Sequence, residues 1–318
     1  MKPSIVVIPT QGLCNRLRAI ASAYILSQHY CSSFYMIWNP EECCRCEFKD
    51  LFENVFQTID LQEVKKTKYV FNPNVHTEHM IRELSTESTQ LDLDFIIIQG
   101  GHEFKDTNMD EERFVAEKTM FYKSLVCLPH IEDYVSSLTS RWNNSHQKIV
   151  GVHFREFVEK YDQADGRVFS TISPMESFLE TMRQIHTNNP NIIFFVTSNS
   201  VKALGLFQDQ FPPENLLIES DNEFSRNSVK GIQTALQSLL VLSRTQFIVG
   251  TRMSSFSDEA CFFNLTTKLC VGNEMEYNEK YHCYGVSKSF GKTMVLNNVV
   301  DTIHFLCGRQ FLKNHDNA

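Results

Sequence analysis

Three short segments of the 318-residue chain carry side chains suited to holding an anion. In Gly151-Val152-His153-Phe154-Arg155-Glu156, strand alternation sets His153 and Arg155 opposite Val152 and Phe154, directed at the edge where ligands of α/β proteins bind. A guanidinium there grips a phosphate through two parallel hydrogen bonds, which lysine cannot reproduce. Ser254-Ser255-Phe256-Ser257 leads into Asp258-Glu259-Ala260, the start of a helix. Hydroxyls and exposed amides at a helix N-terminus suit a diphosphate. Gly12-Leu13-Cys14-Asn15-Arg16-Leu17-Arg18 reads as a tight turn into a helix, whose first amides can take an anion or a hydroxyl. Arg16 and Arg18 then sit where a helix dipole disfavours cations, which points to something negative bound nearby. Each segment also has a plainer structural reading. Asn15 can cap the helix beside two solvated arginines, and Arg155 can pair with Glu156 or Asp162. His153 can be a structural partner, and Ser255 or Ser257 a helix cap.

These segments need strands that end beside helices. Short β-branched runs alternate with helical periodicity through most of the chain, the pattern of an α/β protein with parallel sheets. Ser4 to Ile8 is a predicted strand, followed by a helix from about Asn15 to Tyr30 and strands at Phe34 to Trp38 and Phe95 to Gln99. Residues 41 to 93 read as an irregular, polar insertion with short helices. A second series follows the polar stretch Asn143-Asn144-Ser145-His146-Gln147. Its strands are predicted at Lys148–Phe154, Ile192–Thr197, Leu216–Glu219, Phe247–Gly250 and Lys268–Val271. Its helices are predicted at Pro174–Thr187, Val201–Phe207, Val229–Ser243 and about Ser257–Phe263. The expected architecture is two Rossmann-like halves, residues 1–145 and 146–318, facing a central cleft.

Composition narrows the partners. A hydrophobic content of 42% with 21% charged residues fits a packed globular chain, and 12 glycines exclude a Gly-rich repeat. A net charge of −8 argues against binding nucleic acid through the overall field, while leaving room for a local basic pocket. No stretch is apolar enough for a signal sequence or a membrane span, so the expectation is a soluble, cytoplasmic protein. The 10 cysteines lack the spacing of a disulfide scaffold and read mainly as buried thiols. Cys43-Cys44-Arg45-Cys46 can bind zinc or oxidise, but it half-supplies zinc spacing, and no metal is expected.

The order of these segments resembles the fucosyltransferase-like glycosyltransferases of the GT-B type: the Nod-factor and core α1,6-, protein O- and α1,2-fucosyltransferases. Gly12-Leu13-Cys14-Asn15-Arg16-Leu17-Arg18-Ala19 is similar to the family's G-L-G-N-R-L-R-A signature, with Cys14 in place of a glycine. His153-Phe154-Arg155 is similar to its H-x-R motif, whose arginine contacts the donor diphosphate. Phe194-Phe195-Val196-Thr197-Ser198-Asn199 resembles the segment usually written V-A-T-D-D, and Ser254-Ser255-Phe256-Ser257 the S-S-F-S beside the donor phosphates. The chain departs from the pattern at Glu156, where many relatives carry a second arginine, and at Ser198-Asn199, which replace an acidic pair.

The resemblance implies an inverting, metal-independent transfer of fucose from GDP-fucose to a glycan hydroxyl, with no cofactor beyond the sugar nucleotide. Arg155 is the implied catalytic residue. His153, Arg155, Thr197, Ser198, Ser254, Ser255, Phe256 and Ser257 would bind the donor, and Gly12, Asn15 and Arg16 would line the acceptor side. The alternatives are another nucleotide sugar, or a carbohydrate-binding protein that retains the scaffold without catalysis.

Overall fold

Continuous aliphatic runs form parallel strands that are buried on both faces, as parallel sheets require. The computed structural model describes residues 2–62, 64–71, 93–106, 108–145, 148–156, 173–218, 225–252, 254–271 and 294–295. Asp162, one sequence candidate for pairing with Arg155, lies outside them.

The first sheet contains β1 (Ser4–Pro9), β2 (Phe34–Met36), β3 (Thr67–Phe71) and β4 (Phe95–Gly100), in the order β2-β1-β4-β3 and all parallel. Helix α1 (Leu13–Tyr30) packs Leu17, Ile20 and Leu26 against Ile5, Val7, Ile96 and Ile98. Strand β3 corrects the reading of residues 41 to 93 as irregular. It is an edge strand with Val70 buried but Tyr69 and Phe71 exposed, so its sequence lacks the apolar run of a central parallel strand.

Two helices follow, α2 (Glu111–Ser124) and α3 (Pro129–Ser145). The second sheet has the order β10-β9-β8-β5-β6-β7, again parallel. Its strands are β5 (Ile149–Phe154), β6 (Ile193–Ser198), β7 (Leu216–Ile218), β8 (Phe247–Thr251), β9 (Thr267–Val271) and β10 (Met294–Val295). Between them run α4 (Met175–Asn188), α5 (Val201–Gln210), α6 (Val229–Ser243) and α7 (Ser255–Asn264).

One core joins the two sheets. Helix α3 packs on α6 and α2 on α7, so Ile131, Val135 and Phe121 share a cluster with Leu236, Leu239 and Phe262. Within that contact Lys118 is fully buried between Glu103 and Glu259, 2.9 Å from a Glu259 oxygen, and Tyr122 donates its hydroxyl to the same carboxylate. The Lys118 ammonium lies 3.8 Å from the centre of the Phe262 ring. Among the described residues, no helix is long and apolar enough to cross a membrane.

Candidate functional site

In each sheet the strand order reverses beside the strand that opens it: β1 lies between β2 and β4, and β5 between β6 and β8. Chains leaving such a switch point run in opposite directions and leave a crevice at the carboxyl ends of the strands. The segments after β1, β5, β6 and β8 line one cavity, with Gln11 to Asn15 on one side and His153, Arg155, Thr197 to Asn199 and Ser254 to Phe256 on the other. Helix α6 and the segment before it close the cavity, through Ser225, Arg226, Gly231 and Ser238.

The turn after β1 is built differently from the sequence expectation. The left-handed residue is Gln11, with φ 69°, while Gly12 is extended at φ −72° and caps α1 without a side-chain bond. Arg16 makes this turn possible. Its side chain is fully buried, donates to the carbonyls of Gln11 and Asn39 at 2.8 Å each, pairs with Glu41 at 3.2 Å and stacks on Trp38. Arg16 therefore holds the turn from behind and does not line the cavity, contrary to the expected placement. Nor is it one of two solvated arginines, because Arg18 donates to the Gly101 carbonyl at 2.8 Å. A Cβ on Gly101 would lie 2.8 Å from the Thr10 carbonyl oxygen, so glycine lets the loop after β4 close on the turn. Asn15 faces the cavity beside Cys14, whose thiol is pushed well above its usual range by burial and then by Glu259.

On the opposite side, His153 is in register with Thr197 on β6 and Gly250 on β8, at the centre of the sheet edge. Burial, then the charges of Lys268 and Arg155, hold its imidazole well below the ordinary histidine range, so it is neutral near pH 7. It stacks on Phe256 with ring centres 4.8 Å apart. Thr251, which the sequence reading does not single out, accepts the Arg155 backbone N–H at 2.9 Å and donates to the His153 carbonyl at 3.3 Å. Asn199 secures the next residue: its side chain accepts the Glu156 N–H at 2.8 Å and donates to the Glu156 carbonyl at 2.7 Å. Glu156 itself is not part of the cavity lining.

The serine block divides. Ser254, Ser255 and Phe256 line the cavity, whereas Ser257 is buried beneath it and donates to the Ser254 carbonyl at 3.4 Å. Buried polar atoms on the cavity lining include Asn15 Oδ1, His153 Nδ1 and Ser254 Oγ, which have no hydrogen-bond partner among the described residues. Cys43 also lines the cavity, while Cys44 and Cys46 are buried with their sulfurs 3.8 Å apart. No group of three or more potential metal ligands converges among the described residues.

The fold has solved counterparts. NodZ α-1,6-fucosyltransferase soaked with GDP-fucose is similar at a TM-score of 0.56 and 16% identity, over 82% of this chain and 93% of that one. NodZ has also been solved from Bradyrhizobium. The chain has a fucosyltransferase-like GT-B fold. The same GT-B architecture relates it to a point mutant of Arabidopsis thaliana FUT1 in complex with GDP, at a TM-score of 0.54 and 13% identity, over 84% of this chain and 70% of that one. POFUT1 without ligand matches at a TM-score of 0.51 and 11% identity, over 86% of this chain and 99% of that one. No family model and no curated protein matches the sequence.

Proposed function

We propose that the protein is an inverting, metal-independent glycosyltransferase that moves fucose from GDP-fucose to a glycan hydroxyl. The observation that carries this reading is the convergence of Arg155 with Asn15 Oδ1, His153 Nδ1 and Ser254 Oγ on one cavity. Buried polar atoms are nearly always satisfied, so these atoms on one lining, without partners among the described residues, are fitted to a polar ligand. The fold supports the class of ligand, because its solved neighbours include enzymes crystallised with GDP or GDP-fucose.

Breaking a sugar–phosphate bond builds negative charge on the departing diphosphate and leaves an oxocarbenium-like sugar. Arg155 and the amides opening α7 stabilise that charge without reorganising. His153, neutral through burial, orients nucleotide or sugar by hydrogen bonding. Residues 146–318 hold the donor and residues 1–145 shape the acceptor side, where Gly12 and Asn15 meet the cleft.

A second reading, transfer from another nucleotide sugar, is favoured by one feature. Ser198 and Asn199 are neutral, and the Asn199 amide is occupied by the Glu156 backbone. No carboxylate lies among the described lining residues to accept the guanine N–H groups.

Thermal unfolding with GDP, UDP and ADP tests both readings, because a ligand that binds only the native state raises the midpoint. The largest shift is expected with GDP. A larger shift with UDP would keep the transferase and overturn fucose. Arg155→Ala should abolish transfer with little change in the ligand-free midpoint, and an active Arg155→Ala would sink the proposal. Transfer should also persist in EDTA; loss restored by manganese would remove the metal-free mechanism.

A further inference from the structure

We infer that Arg226 is a second diphosphate-binding residue of this site, reaching the ligand from the segment before α6 while Arg155 reaches it from the end of β5. The inference rests on the nucleotide-sugar reading and adds to it a residue outside every motif recognised in the sequence.

The charge distribution of the cavity favours it. In a chain of net charge −8, the described lining residues include two arginines, Arg155 and Arg226, and no aspartate or glutamate. His153 adds no charge, because burial holds it neutral. A diphosphate carries more than one negative charge, and a single guanidinium leaves part of it uncompensated. Glu156, next to Arg155 in sequence, supplies an acid rather than a second cation and stays off the cavity lining.

Arg226 is also held in place. Its carbonyl accepts the Arg45 N–H at 3.0 Å, which fixes the segment to the loop that carries Cys43 on the other side of the cleft. Two residues on, Ser228 caps α6 by accepting the Gly231 N–H at 3.0 Å. The Ser225 carbonyl then lies so close to α6 that a Cβ on Gly231 would meet its oxygen at 1.9 Å. Arg226 is thus half-buried on a segment braced at both ends, and no carboxylate among the described residues forms an ion pair with it. A half-buried guanidinium on a cavity lining, with no carboxylate paired to it among the described residues, is matched to an anionic ligand.

The test is calorimetric titration of the full chain with GDP, GMP and inorganic pyrophosphate, comparing wild type, Arg226→Ala, Arg226→Lys and Arg155→Ala. Loss of one of two phosphate-gripping arginines should weaken GDP by about tenfold or more, the scale of losing a buried charged partner. GMP should weaken less, so that the preference for GDP over GMP shrinks, and pyrophosphate binding should fall with GDP. Arg226→Lys should recover part of the affinity, since it restores charge without the planar fork. Unchanged ligand-free midpoints would show that the variants fold, and Arg226→Lys keeps the comparison open if the alanine variant does not. GDP binding by Arg226→Ala at wild-type strength, with Arg155→Ala impaired, would overturn the assignment of Arg226 alone. Equal weakening of GDP and GMP would also overturn it, by placing Arg226 on base or ribose. Wild type that binds neither GDP nor pyrophosphate would instead remove the transferase reading, and this inference with it.

Discussion

The Thr251 hydroxyl accepts the backbone N–H of Arg155 at 2.9 Å, and the same oxygen donates to the His153 carbonyl at 3.3 Å. One side chain at the end of β8 thus fixes both ends of the His153-Phe154-Arg155 triplet at the end of β5. Lys268 holds Thr251 from below by donating to its carbonyl at 2.8 Å. Thr251→Val keeps the shape of the side chain but leaves a buried donor and acceptor unmet, at a cost of about 1–3 kcal/mol. Thr251→Ser keeps the hydroxyl. The valine variant should lose transfer by about tenfold, mostly in kcat/KM for donor, because small displacements of a charged group matter at a preorganised site. The serine variant should stay near wild type. Equal activities for the two variants would show that Arg155 needs no such support.

Much of this arrangement is legible in the sequence, and the exceptions share a cause. Helix α6 has the bounds expected, Val229 to Ser243, because its apolar residues recur without interruption and Ser228 caps it. His153, Arg155, Thr197, Ser198, Ser254, Ser255 and Phe256 meet where the predicted strand ends place them. Residues whose role depends on another segment are not visible. Thr251 reads as the last residue of a strand, and Arg226 as one of several polar residues before a helix. Helix α2 escapes the sequence reading because Lys118 and Thr119 are buried on its inner face and break the apolar stripe. The expected placement of Arg16 fails for the same reason, since nothing local announces a fully buried arginine that satisfies carbonyls 5 and 23 residues away.

Because Arg16 supports the turn rather than the ligand, its loss should register first in stability. Arg16→Met would leave the Gln11 and Asn39 carbonyls without their donor, while Glu41, half-exposed, can turn to water. A destabilisation of about 1–3 kcal/mol is expected from two part-buried acceptors left without their donor. At a temperature where the variant remains folded, GDP affinity should change by less than about threefold, a difference under 1 kcal/mol. A stable variant that no longer binds GDP would return Arg16 to the cavity.

His153 makes stability depend on pH in a defined direction. Its imidazole is held well below the usual range in the fold, whereas the unfolded chain takes up a proton at about pH 6.5. Below that pH the unfolded state binds more protons than the native state, so stability falls as pH falls and is fully present above it. A single proton contributes a slope of up to about 1.4 kcal/mol per pH unit. Urea unfolding of His153→Gln between pH 5 and pH 7 should show a flatter dependence than wild type. Parallel curves would mean that the buried imidazole takes up its proton as freely in the fold as in the unfolded chain.

Lys118 and Glu259 join α2 to α7 with side chains that are both fully buried. The Glu259 carboxyl is pushed up by burial and drawn back by the Lys118 ammonium, so the pair is balanced only while both partners are present. Lys118→Met removes the balancing charge, and breaking a buried pair from one side costs about 3–5 kcal/mol. Burial then acts on Glu259 without its counter-ion, so the fold favours the protonated acid. That native state binds more protons than the unfolded chain above the ordinary glutamate range, and the deficit should grow as pH rises from 5 to 8. Lys118→Met with Glu259→Gln leaves only Glu103 without its counter-ion and should regain part of the loss and lose part of the pH dependence. Because α7 begins at Ser255, beside the cavity, the single variant should also weaken GDP binding more than the double variant does. A single variant as stable as wild type at pH 8 would show that the two helices dock without their ionic contact.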